Sequence, residues 1–225
     1  SFALRHILTN AATETLALIR HKTHKKTAHY HNLFMKLTGT LEKDLKTLKN
    51  ILPAEDILTF SFQSKNGIAF TVVYADPISD KELLGEQVIR PLLRYDGKAT
   101  AEDIGKSITS AELRKNGDID KLAEEILGGN PVVLFDGMDE AIITGVKKVF
   151  VRAIAEPSTD VAVKGPREGF IEDIKINTSL VRRRLKTPDL RFHMMTVGRR
   201  STTSVAVCWL EGTTPKKTVE EVKKK

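Results

Sequence analysis

The stretch Val161 to Phe192, VAVKGPREGFIEDIKINTSLVRRRLKTPDLRF, brings together the side chains of this chain best suited to binding chemistry. Arg167 and Glu168 stand where Gly165 and Pro166 would open a helix, and an arginine beside the free amides of a helix N-terminus suits a carboxylate or a phosphate. The alternative is that Arg167 pairs with Glu156 or Glu172 and simply fixes the loop. Further on, Asp173, Asn177 and Arg184 project in nearly the same direction at about 100° per residue. They form either a satisfied polar seam against a neighbouring layer or a contact for a ligand or another subunit. Arg182, Arg183 and Arg184 look like a basic comb, but the same rotation spreads them around the helix.

Other constellations are weaker. Asp136, Gly137, Met138 and Asp139 put two carboxylates after a strand, as a metal-assisted phosphoryl-transfer site would, but Asp-Gly also suits a tight hairpin turn. His21, His24, His29 and His31 have no carboxylate or cysteine beside them and sit in a lysine-rich tract, which reads as a solvated arm rather than a metal site. The chain has no phosphate-cradling loop ending in lysine and serine, no G-x-S-x-G elbow, no H-E-x-x-H and no paired-cysteine zinc motif. The expectation is a protein that is not an enzyme and takes no cofactor.

The element that must position these groups is a helix from Pro166 to Lys186. Proline fits the first helical position, Glu168 complements the dipole there, and Pro188 forces an exit. Phe170, Ile171, Ile174, Thr178, Val181 and Leu185 fall on one face, and Ile176 and Leu180 widen it, so the rod is expected to be buried on more than one side.

Around that rod the pattern predicts an α/β (α+β) protein of two subdomains, with mixed or antiparallel sheets flanked by helices. Residues 1–31 read as an N-terminal arm, partly helical. Residues 32–94 read as a first subdomain: a helix over 32–52, a hairpin turning at Asn66 and Gly67, and a helix capped by Ser79 with Glu82 that stops at Pro91. Residues 95–117 read as a linker with a short helix starting at Thr100. Residues 118–225 read as the second subdomain: a helix over 119–127, strands over 131–135, 140–144 and 149–155, the rod, a hairpin over 190–210 and a last helix after Pro215. The order of hairpin, acidic residue and helix occurs twice, which suggests a duplicated design.

At 225 residues the chain is long enough for a proper core, and its 40% hydrophobic content is ordinary for a globular protein. The lone Cys208 lies in an apolar run and is expected to be buried. A net charge of +7 favours anionic surroundings, yet part of it is the terminal Lys223, Lys224 and Lys225. Aromatic residues are only 6% of the chain, too few for base-stacking platforms, so nucleic-acid binding is the weakest of the binding readings. No apolar run approaches the roughly 18 to 20 residues of a membrane span, nor does the start read as a signal peptide. The expectation is a soluble piece.

GPREGF, EDIKINTSLVRRRLKTPDLRF, VGRRSTTSVAVCWLEG and the EEVKKK tail together resemble the soluble N-terminal region of the A subunit in the GerA family of spore germinant receptors. The likeness is continuous from about Asp118 to Lys225, weaker over 41–93 and absent before His31. It implies a longer protein that continues into membrane-spanning segments and resides in the spore inner membrane, with this domain in the aqueous phase on the core side. It implies B and C subunits and other A subunits as partners, a nutrient as a possible ligand, and a role in assembly and signal transmission. Arg167, Glu168, Asp173, Asn177, Arg182 and Arg184 are then candidate subunit or ligand contacts. The rival from another class is a small-molecule module that closes between two lobes.

Overall fold

Alternation of apolar and polar residues in Ile57–Gln63, then an almost wholly apolar Ala69–Ala75, produces an edge strand followed by a buried one, β1 and β2. In the computed structural model, which describes residues 35–148 and 169–224, they pair antiparallel about Asn66 and Gly67, with Gly67 at φ +85°. β3 (Leu113–Asn116), β4 (Val132–Phe135) and β5 (Ala141–Thr144) complete a five-stranded antiparallel sheet in the order β1-β2-β4-β5-β3.

Both faces of this sheet are covered, which explains why β2, β4 and β5 are almost wholly apolar. Val72, Phe70, Val133, Phe135 and Ile142 face one core with Leu84, Val88, Leu92 and Ile104. These come from α2 (Lys81–Leu84), a π-helical turn over Gly85–Ile89, α3 (Arg90–Leu93) and α4 (Ala101–Ser107). The opposite face is covered by α1 (Leu41–Ile51) and α5 (Ile119–Leu127), which bury Leu48, Leu122 and Ile126. The second hairpin, β6 (Leu190–Val197) with β7 (Thr203–Leu210), forms its own antiparallel ribbon flanked by α6 (Ile174–Arg184) and α7 (Lys216–Lys224).

The α/β class with antiparallel sheets agrees with the sequence, but the division into subdomains does not follow the expected cut. β2 from the first half pairs with β4 from the second, and the expected linker supplies α4 and the sheet's far edge strand, β3. β3 was hidden because Leu-Arg-Lys-Asn is short and polar, as an edge strand can afford to be. The Gly117 carbonyl accepts the Leu37 N–H at 2.8 Å, and a Cβ there would clash with the Asp139 carbonyl oxygen. Residues 36–225 therefore group as one compact unit, with β3 as an edge strand of its sheet.

Several boundaries shift for local reasons. α1 begins at Leu41 rather than near residue 32, because Gly39 takes φ +78° and Asp136 accepts the Leu41 N–H. That contact gives the Asp-Gly turn a structural task. α2 is capped by Asp80, which accepts the N–H groups of Glu82 and Leu83, while Ser79 is buried. The helical rod passes through Pro91 to Leu93: the widened π turn just before it accommodates the missing N–H and the ring, and Leu92 is fully buried. Cys208 is exposed, contrary to expectation. The arm over 1–31 and the strand over 149–155 lie outside the described residues.

β3 is tied down by Arg114, which donates to both carboxylate oxygens of Glu125 on α5, one of them at 3.0 Å. Burial would raise the Glu125 carboxyl, but the bonds from Arg114 and Asn130 outweigh it and hold it below its ordinary 4.5. A depressed carboxylate adds stability above the unfolded value, and that stability is lost as pH falls through the folded one. Acid unfolding should therefore lose part of its slope below pH 4.5 in Glu125→Gln. Urea midpoints between neutral and acid pH measure this.

Candidate functional site

α6 starts eight residues later than the sequence implies, and its own polar residues set the start. Asp173 occupies the N-cap and accepts the Lys175 N–H at 2.8 Å. Asn177 clamps Ile171 from both sides: its Nδ2 donates to the Ile171 carbonyl at 2.6 Å, and its Oδ1 accepts the Ile171 N–H at 2.8 Å. That clamp holds residues 169–173 out of the helix, and leaves Phe170 72% exposed. The single rod from Pro166 is thus a shorter helix with a clamped lead-in. Arg167 and Glu168 lie outside the described residues.

The buried face is also not the one the apolar spacing marks. Thr178, Ser179, Leu180 and Arg182 are buried, whereas Leu185 is exposed. Thr178 and Ser179 are tolerated inside because their hydroxyls donate to the carbonyls of Lys175 and Ile176 one turn back. Arg183 and Arg184 have partners of their own, and Arg184 is exposed.

Arg182 is fully buried, and its guanidinium is the junction between α6, β6 and the main sheet. Nε donates to Asp56 Oδ2 at 2.7 Å and Nη2 to Asp56 Oδ1 at 2.6 Å, a two-pronged pair across 126 residues of chain. The remaining donors reach the carbonyls of Thr187 at 3.0 Å and Leu190 at 3.2 Å. The plane also lies 5.2 Å from the centre of the Phe192 ring. Asp56 is itself anchored, since its carbonyl accepts the Asp76 N–H at 2.8 Å at the end of β2. Next to it, Glu55 meets His193 Nδ1 of β6 at 3.0 Å near the surface.

A cleft of about 560 Å³ opens beside this junction, between the ends of β1 and β2 and the α6–β6 side. Its lining carries Glu55, Asp56, Asp76, Asp80 and Glu82 against Lys81, Lys148 and Lys175, with Leu58, Phe192 and Met194 as apolar floor. Most of these charges are already engaged. Asp56 holds Arg182, Asp80 caps α2, Asp76 pairs with Lys81, and Glu55 meets His193. Among the described residues no group of three or more His, Cys, Asp or Glu side chains could hold a metal ion.

Of the six residues singled out by spacing, Arg182 alone is shown at the junction, and Asp173 and Asn177 serve the helix start. Asp56, Glu55 and His193 escaped the sequence reading. The only local signal was an acidic pair, Glu55 and Asp56, placed directly against a strand.

The model for the Bacillus/Clostridium GerA spore germination protein matches residues 42–225. The chain belongs to the GerA family. Spore germination protein KA of Bacillus subtilis (strain 168) is 28% identical to it over 196 residues, 84% of this chain and 36% of that protein. Uncharacterized membrane protein YfkQ of the same strain is 30% identical over 195 residues, 84% of this chain and 38% of that protein. The chain thus spans well under half the length of these family members. Among solved structures, the N-terminal domain of the A subunit of the Bacillus megaterium spore germinant receptor GerK3 shares the fold, with TM-score 0.64 at 22% identity over 86% of this chain and 73% of that one.

Proposed function

We propose that this chain is the N-terminal domain of a germinant-receptor A-type subunit, and that it works in receptor assembly and in passing a change of state towards a membrane-embedded remainder. Family membership supports the setting. No described helix is long and apolar enough to cross a membrane. The observation that carries the mechanism is the Arg182–Asp56 junction. It fastens α6 and the β6–β7 ribbon to the five-stranded sheet at one buried point, next to an open cleft.

Such a joint resists separation of the packed layers, so a displacement of α6 is carried through it to the sheet. B and C subunits and further A subunits are the partners in this reading, with the exposed side of α6, including Arg184, and the lead-in before it as contact surfaces. The chemistry is not catalytic.

The test is made in the full-length protein, in spores that lack their own copy. Arg184→Ala and Lys175→Glu both alter exposed positions of α6. Each should slow nutrient-triggered germination, read as loss of optical density, while the thermal melt of the domain is unchanged. Normal germination with both variants would remove α6 from the signalling path.

A second reading rests on the cleft, whose volume falls within the range of about 300–1,000 Å³ typical of small-molecule sites. It would take a nutrient between Lys175 on α6 and Glu82 on α2. Calorimetric titration of candidate nutrients, compared between the parent and Lys175→Glu, separates it from a pure coupling role.

A further inference from the structure

The β6–β7 ribbon leaves the body of the protein along its length. At its base Leu190 and Phe192 are each 2% exposed, whereas every residue from Thr196 to Ser204 at its far end is exposed. The strands stay paired to the last rung, Val197 with Thr203, and the Thr202 N–H closes the turn on the Gly198 carbonyl at 3.3 Å. The tip is therefore a hydrogen-bonded projection.

Its charge has one sign. From Leu190 to Leu210 the chain has no aspartate or glutamate, and Arg199 and Arg200 stand side by side in the turn. Among the described residues neither of them meets a carboxylate, unlike Arg90, Arg114 and Arg182, each of which is held by one. Val197, 47% exposed, adds an apolar side chain next to them, and Ser201, Thr202 and Thr203 add hydroxyls. The fold spends neither arginine, so both keep their attraction for an anion outside the chain.

We propose that the tip of the β6–β7 ribbon, Val197 to Thr203, docks on an anionic lipid surface. Arginine suits headgroup phosphates because its planar fork sets two parallel N–H donors on one phosphate. Val197 enters the boundary between headgroups and acyl chains while the arginines stay at the level of the phosphates, to which the hydroxyls also donate. A projecting tip suits a fluid surface, which moulds to it, better than a rigid protein face, which would need a matching cavity. Two arginines and one valine make a weak contact, since each basic residue near such a surface adds only a modest factor. The contact therefore orients more than it anchors: it holds the ribbon, and through Arg182 the main sheet, at a set angle to the lipid. It needs no nutrient and no other subunit, so it stands apart from the role proposed above.

Vesicles of phosphatidylglycerol and phosphatidylcholine, sedimented with the 225-residue protein at low ionic strength, read the contact. Binding should require phosphatidylglycerol, and should fall as salt shortens the screening length from about 30 Å at 0.01 M to about 8 Å at 0.15 M. Arg199→Glu with Arg200→Glu should weaken it about tenfold or more. Lys43→Glu with Lys46→Glu, the same change of net charge at exposed positions of α1, should leave most of it. Placement is read with an environment-sensitive dye in a Cys208→Ser background. At Ser201→Cys its emission should move to the blue on addition of the vesicles, and at Lys98→Cys, exposed in a different loop, it should not. No binding by the parent, equal losses in the two charge-reversed pairs, or equal responses of the dye at both positions would overturn the proposal. So would retention of the parent on polyglutamate without binding to vesicles, which would make the tip a site for an acidic protein surface. Circular dichroism of each variant confirms that the fold is kept, as exposed positions lead one to expect.

Discussion

Arg182→Ala is expected to lower the unfolding free energy by about 3–5 kcal/mol, because it leaves the Asp56 carboxylate buried with no countercharge. The figure exceeds that of any surface ion pair in this protein, such as Lys65–Asp96, where both side chains are mostly exposed and the expected contribution is under about 1 kcal/mol. Burial decides the difference: the Arg182 side chain is 0% exposed and that of Asp56 is 7%. Replacing both residues with apolar ones of similar volume, Arg182→Met with Asp56→Leu, should cost less than either single change, since no orphaned charge remains. Urea unfolding followed by circular dichroism supplies each of these free energies. A single variant that melts like the parent would mean that the pair is open in solution.

Phe70→Ala should cost about 3–5 kcal/mol as well, through a cavity rather than a charge. Phe70 is 1% exposed and stands between Phe62 and Phe135, so its loss removes contacts on both sides. Because β2 pairs with β1 and β4, the damage belongs to the whole sheet. One unfolding transition should move as a unit. Two transitions, of which one ignores Phe70→Ala, would restore the picture of two self-contained halves divided near residues 95–117.

The elements that the sequence displayed best were those with strong local chemistry. Asn66-Gly67 marked the first hairpin, the periodic run over 119–127 marked α5 with its Gly128-Gly129 stop, and Thr100 marked the start of α4 by accepting the Asp103 N–H. What stayed hidden depended on distance along the chain. β3 is polar and becomes a strand only because β5 lies next to it. Asn177 looked like a member of a seam, yet it works locally, gripping Ile171 and shortening the helix. Arg182 was in view as one of three arginines, but nothing in its neighbourhood distinguishes it from Arg184. Only the fold brings Asp56 to it.

The pairing of the β6–β7 side with the main sheet through Arg182 is tested most directly by a double-mutant cycle on Arg182→Ala and Asp56→Ala. Unfolding should be followed by the fluorescence of the chain's single tryptophan, Trp209 on β7, as well as by circular dichroism. A closed buried pair predicts a coupling of about 2–3 kcal/mol, with both probes reporting the same transition in the parent. Costs that add to within about 0.3 kcal/mol, or a Trp209 transition that precedes the loss of the sheet in the parent, would contradict it.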